Sequence, residues 1–230
     1  MIVIIQQTCC FSQVPLLLIL AKVISLHGEV IVITPIQNHK LYEYCKFIKR
    51  IIVTEELLSI TPEQKRLILT SCQASHFLSL SENCSIIDTI IEIGIKTRIN
   101  ACSNHYDDRF NRTILASDDN EHIRSILTTL NITNYDHHTH PYIYLPPVIN
   151  PPRCQIILAP NKKHYHIHQK IEQTLGHIYQ IVWLGDYTHQ HQPPTKIISS
   201  YISSLRLVDI ARKSLAFITS RSELIHLSQL

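Results

Sequence analysis

Short apolar runs rich in β-branched residues recur at residues 2–5, 30–34, 76–80 and 96–99, and again at 155–158, 178–184, 195–198 and 215–219. Each has strand length, and their unbroken apolar character fits strands buried on both faces. Segments with helical spacing lie between them, at 13–26, 85–93, 122–130, about 166–175, and 203–213. Thr61-Pro62-Glu63 opens a further helix, with threonine as cap and proline at the first helical position. Asp118 to Glu121 has the spacing of a capping box before the helix at 122. Strands alternating with helices predict an α/β fold with parallel sheets covered on both faces.

The alternation is interrupted once. Residues 141–153 hold five prolines and no glycine, which predicts a stiff extended connection. The expected division is a domain at 1–145, a linker at 146–153 and a second domain at 154–230. The second half stops one turn into a helix, so its sheet is expected to be incomplete, with an unpaired edge.

Composition narrows the function. Apolar residues make up 45% and charged residues 17%, ample for a core and unlike a disordered chain or coiled coil. A net charge of +3, with no arginine-rich run, argues against nucleic acid as a partner. The charge is uneven: residues 151–230 carry nine Lys+Arg against four Asp+Glu. A positive second half suits contact with phosphates, and solvated surface lysines would look the same. Seven scattered cysteines, without a CxxC, fit reduced thiols in a cytoplasmic protein rather than a disulfide framework or structural zinc site. The apolar N-terminus lacks a basic leader, since its first charge is Lys22, and residues 14–26 are too few to span a bilayer. Membrane contact is expected to be peripheral at most.

Four glycines among 230 residues are few, and phosphate-cradling loops need backbone that can approach closely. Fifteen histidines include clusters at 137, 138 and 140, at 164, 166 and 168, and at 189 and 191. On an extended strand, alternate histidines would share a face and could hold a metal. No carboxylate or thiol sits beside them to complete a shell, so no metal and no other cofactor is expected. Three Asn-x-Ser/Thr sequons, at Asn83, Asn111 and Asn131, carry no meaning without a secretion signal.

Two stretches carry a family resemblance. The terminal strand, turn and helix include Arg221-Ser222-Glu223-Leu224-Ile225-His226-Leu227, and the chain opens on a strand followed by Thr8-Cys9-Cys10-Phe11-Ser12-Gln13-Val14. Both resemble the family-nine glycosyltransferases, the heptosyltransferases of the lipopolysaccharide inner core. Their turn usually reads Asp-Ser/Thr-Gly-x-x-His-Leu, and their opening Ser/Thr-Ser-Leu/Met-Gly-Asp-Val before a helix. Here Arg221 and Glu223 replace the acid and the glycine of the turn. At the opening, Ser12 stands at the glycine and Gln13 at the aspartate. Residues 76–81 and 93–100 resemble framework segments of the same family, and Ile157 to Lys163 resembles its strand leading to a diphosphate loop, with Asn161 at the glycine. The resemblance spans nearly the whole chain but only the first two-thirds of a typical member.

The resemblance implies two Rossmann-like lobes of GT-B type, the second incomplete. It implies inverting transfer of a sugar, from a nucleotide-diphosphate donor such as ADP-heptose to a lipopolysaccharide-type acceptor. Thr8 and Ser12 would meet the acceptor, Lys162, Lys163, Ser222 and His226 the donor, and Gln13 would occupy the catalytic position. In the family the aspartate there is the general base. A carboxamide cannot take the proton, and losing such a base slows reactions about 10²–10⁴-fold. Two readings therefore stand together: a transferase of reduced activity, or a catalytically dead, truncated relative that binds sugar or a partner.

Overall fold

The computed structural model describes residues 1–7, 13–81, 84–102, 107–115, 119–135, 153–185, 197–198 and 204–220. The chain divides into two compact units, Met1–Tyr144 and Leu145–Leu230. The proline-rich residues 141–152 and Asp118 lie outside the described residues.

The first unit is a six-stranded parallel sheet. Its strands are β1 (Ile2–Gln6), β2 (Glu29–Thr34), β3 (Arg50–Val53), β4 (His76–Ser79), β5 (Thr97–Asn100) and β6 (Arg112–Thr113). They lie in the order β3-β2-β1-β4-β5-β6, and every pairing is parallel. The helices are α1 (Gln13–Ser25), α2 (Ile36–Tyr42), α3 (Thr54–Ser59), α4 (Pro62–Ser71), α5 (Ile87–Glu92) and α6 (Asp119–Thr129).

Strand periodicity sorts the core. Ile4, Ile31, Ile33, Ile52 and Phe77 pack with Leu57 of α3, Leu69 of α4 and Ile87 and Ile90 of α5. Helix α1, packed against β2 and α6, buries Val14, Leu17, Leu18, Leu20, Ala21, Val23 and Ile24. A helix apolar on nearly every side belongs in a core, which is why it lacks the charged stripe of a surface helix. None of the helices among the described residues is long and apolar enough to cross a membrane.

The expected strands and helices all form where their described residues allow a comparison, with ends shifted by at most three residues, the largest shift being the start of α6 at Asp119. Four elements carried too little signal to be expected. β3 and β6 have only four and two residues, and α2 and α3 have seven and six, shorter than a readable helical period. The cap at Thr61 forms in full: its hydroxyl accepts from Gln64 N at 3.3 Å, and Gln64 Oε1 accepts from Thr61 N at 3.1 Å. Glycine scarcity leaves its mark at helix ends. Gln73, after α4, and Asn131, after α6, take φ of 50° and 60°, a left-handed conformation ordinarily given to glycine.

The second unit contains β7 (Arg153–Ala159), a 3-10 turn (Lys162–His164), α7 (Tyr165–Leu175), β8 (Gln180–Leu184), β9 (Ile197–Ile198), α8 (Ser204–Arg212) and β10 (Ser214–Thr219). Its parallel order, β10-β7-β8-β9, repeats the arrangement of β4-β1-β2-β3 in the first unit. Ile156, Leu158, Ile181 and Trp183 form one buried cluster, with Tyr165, Ile171, Leu175 and Ile218 packed against them, and Ile157, Val182, Leu184, Leu207 and Val208 are buried as well. Among the described residues β10 pairs with β7 alone, and its residues are partly exposed. His164, His166 and His168 lie on the 3-10 turn and α7, not on a strand. His164 and His166 are exposed and His168 is buried, its Nδ1 within 3.1 Å of the His164 carbonyl. Among the described residues no group of three His, Cys, Asp or Glu side chains is placed to hold a metal.

Candidate functional site

In an open parallel sheet, ligands bind at the carboxyl edge, where the chain turns from building on one side of the first strand to the other. In the first unit that point lies between β1 and β4. Polar residues end the apolar strands there: Gln6 and Gln7 on and after β1, Thr34 on β2, Ser79 on β4 and Asn100 on β5. All are at most 3% exposed. Gln6, Ser79 and Asn100 are in register across three strands.

Buried polar groups need partners, and these find them locally. Gln7 Oε1 accepts from the Tyr42 hydroxyl and from Thr34 Oγ1 at 3.4 Å. Gln6 Oε1 accepts from Cys84 Sγ at 2.8 Å. Ser79 Oγ accepts from Ser81 N at 3.2 Å, and Asn100 Oδ1 from Cys102 N at 3.0 Å. These residues form a layer of neutral amides and hydroxyls at the carboxyl edge of the sheet. Burial pushes the Tyr42 hydroxyl well above its ordinary range, against the smaller effect of its bond to Gln7. The last residue of β1, β2, β4 and β5 is polar in each case, Gln6, Thr34, Ser79 and Asn100.

Gln13 begins α1 and reaches the same point. Its Nε2 donates to the Leu80 carbonyl at 2.5 Å, tying the helix start to the end of β4. The side chain expected at the catalytic position is therefore a structural tie as well. Thr8 and Ser12 lie outside the described residues.

Burial likewise pushes the Cys84 thiol up to about 11 from 9.0. A group raised in this way favours folding below its free value and withdraws that support as pH rises through 9 toward 11. At pH 8 we expect iodoacetamide to modify exposed Cys154 and leave Cys84 untouched in the native protein, as read by peptide mass spectrometry. Early alkylation of Cys84 would contradict its burial beside Gln6.

The corresponding point of the second unit lies between β7 and β10. After β7, Asn161 caps the 3-10 turn with φ −79°, an ordinary conformation in which nothing demands glycine. Its Oδ1 accepts from His164 N at 3.0 Å. Lys162 starts that turn and Lys163 is exposed on it. Arg221, Ser222, Glu223 and His226 lie outside the described residues, as do the histidine clusters at 137–140 and 189–191.

No protein-family model matches the sequence, and no curated protein is a match. Solved structures do match. Escherichia coli ADP-heptose lipopolysaccharide heptosyltransferase II is 14% identical with a TM-score of 0.71, over 99% of this chain and 81% of that one. A family 9 glycosyltransferase from Veillonella parvula is 12% identical, also at 0.71, over 98% and 76%. The fold is that of the heptosyltransferases. The E. coli heptosyltransferase WaaC, solved with ADP-2-deoxy-2-fluoro heptose, is 9% identical with a TM-score of 0.62, over 99% and 85%. This heptosyltransferase fold is built here from two α/β units of GT-B type, each with its own switch point.

Proposed function

We propose that this chain is a glycosyltransferase that takes a sugar from a nucleotide-diphosphate donor, ADP-heptose, and inverts it onto a lipopolysaccharide-type acceptor without a metal. One observation supports this most: the same parallel strand arrangement occurs twice, so each unit offers a carboxyl-edge crevice, one for each substrate. The second unit takes the donor. Lys162 and Lys163, with Ser222 and His226 after β10, meet the diphosphate. The first unit takes the acceptor near Thr8, Ser12 and Gln13, above a layer whose neutral amides and hydroxyls match sugar hydroxyls in hydrogen-bonding character. In transfer an acceptor hydroxyl attacks the anomeric carbon as the bond to the diphosphate breaks. Gln13 orients that hydroxyl and does not take its proton, which passes to the departing diphosphate or to solvent. The reaction belongs in the cytoplasm, with at most peripheral contact at the inner membrane face.

A second reading is favoured by the bond from Gln13 to Leu80. An amide committed to holding α1 on β4, at the position of a general base, suits a relative that binds nucleotide sugar or a partner without turnover. Calorimetry with ADP-heptose, ADP and a UDP-sugar, followed by an acceptor assay, separates the two. We expect saturable binding selective for ADP-heptose. Binding without product would leave the second reading, and no binding by folded protein would end both nucleotide-sugar readings.

A further inference from the structure

The carboxyl ends of β7 and β10 are fastened together by more than their sheet ladder. Asn161 N donates to Ser220 Oγ at 2.9 Å, and Asn161 Nδ2 donates to the Ser220 carbonyl at 3.0 Å. Thr219 Oγ1 donates to the Ala159 carbonyl at 2.9 Å, and Ser220 N donates to the same carbonyl at 3.3 Å. These two strands flank the switch point of the second unit, where the chain leaves in two directions. The Asn161 carboxamide uses both ends: its oxygen takes the His164 amide, and its nitrogen holds the other strand. A glycine could do neither.

We propose that Asn161 and Ser220 form a clasp that presets the seat of a nucleoside diphosphate, Asn161 acting as a positioning residue. This rests on the reading of the second unit as the donor side. Strand ends that together hold one ligand lose freedom when it binds. Bonds already made between them in the free protein remove part of that loss. The clasp also adds no negative charge beside the phosphates, as an aspartate in its place would.

The test compares ADP and adenosine binding by calorimetry for wild type, Asn161→Ser, Ser220→Ala and Ser220→Thr, with thermal unfolding followed alongside. Asn161→Ser keeps a side-chain oxygen able to cap the helix but has no amide nitrogen for the Ser220 carbonyl. Ser220→Ala removes the hydroxyl that accepts from Asn161 N, and Ser220→Thr keeps it. We expect Asn161→Ser and Ser220→Ala to weaken ADP binding about tenfold, the equivalent of one or two ordinary hydrogen bonds. Adenosine binding should hold, the unfolding midpoint should fall by no more than the loss of one or two ordinary hydrogen bonds allows, and Ser220→Thr should bind ADP as wild type does. Unchanged ADP affinity in both loss variants would overturn the clasp. So would an equal loss for adenosine, which would mean general damage to the unit. Failure of wild type to bind ADP or ADP-heptose would instead overturn the donor reading on which the clasp depends.

Discussion

Trp183→Ala is expected to unfold the second unit at urea concentrations that leave the first intact. Trp183 is fully buried in β8, and its ring lies 5.1 Å from that of Tyr165 and 6.4 Å from that of His168. Trp183 is the largest member of the buried cluster it forms with Ile156, Leu158 and Ile181, so its truncation removes much of that cluster. Truncating a buried tryptophan to alanine costs about 3–5 kcal/mol, comparable with the whole stability of a small domain. Far-UV circular dichroism in urea, with limited proteolysis to assign fragments, should show early loss of residues after 153 and retention of the β1–β6 sheet. Trp183 is the only tryptophan, so its fluorescence reports this unit alone in wild type. If both halves kept their wild-type resistance, Trp183 would not organise the core. ADP binding should vanish with the unit.

Much of this architecture was legible from hydrophobic pattern because parallel strands buried on both faces are unbroken apolar runs. Residues 2–5, 30–34, 76–80 and 155–158 announce themselves in that way. β3 did not, because Arg50 and the helix beginning at Thr54 leave it only four residues. The site was harder to read. Sequence resemblance points to residues 8–13 and 162–163, whereas the buried polar layer of Gln6, Gln7, Thr34, Ser79 and Asn100 depends on register between strands distant in sequence. Neither local spacing nor composition reveals that these residues end neighbouring strands. The histidines at 164, 166 and 168 show the opposite failure. Their alternation suggested a metal-holding face if extended, but Asn161 caps a helical turn there and spreads them around the helix start.

Gln13→Asp carries the other large expected effect, and it runs in two directions at once. The shorter, charged side chain cannot donate to the Leu80 carbonyl, so the tie between α1 and β4 is lost, at roughly 1 kcal/mol for an ordinary hydrogen bond. Repulsion from that carbonyl turns the carboxylate away from it, freeing it to accept a proton from an acceptor hydroxyl. Restoring a general base is worth about 10²–10⁴-fold in rate. ADP release from ADP-heptose with a lipopolysaccharide-type acceptor should therefore rise by at least about 10²-fold, while the unfolding midpoint falls. A lower midpoint with no rise in rate would place the deficit beyond Gln13, and Gln13→Asp combined with Arg221→Asp then tests the donor side. Silence from both variants in protein that still binds ADP-heptose would leave binding without transfer, the role to which the amide at this position is chemically suited.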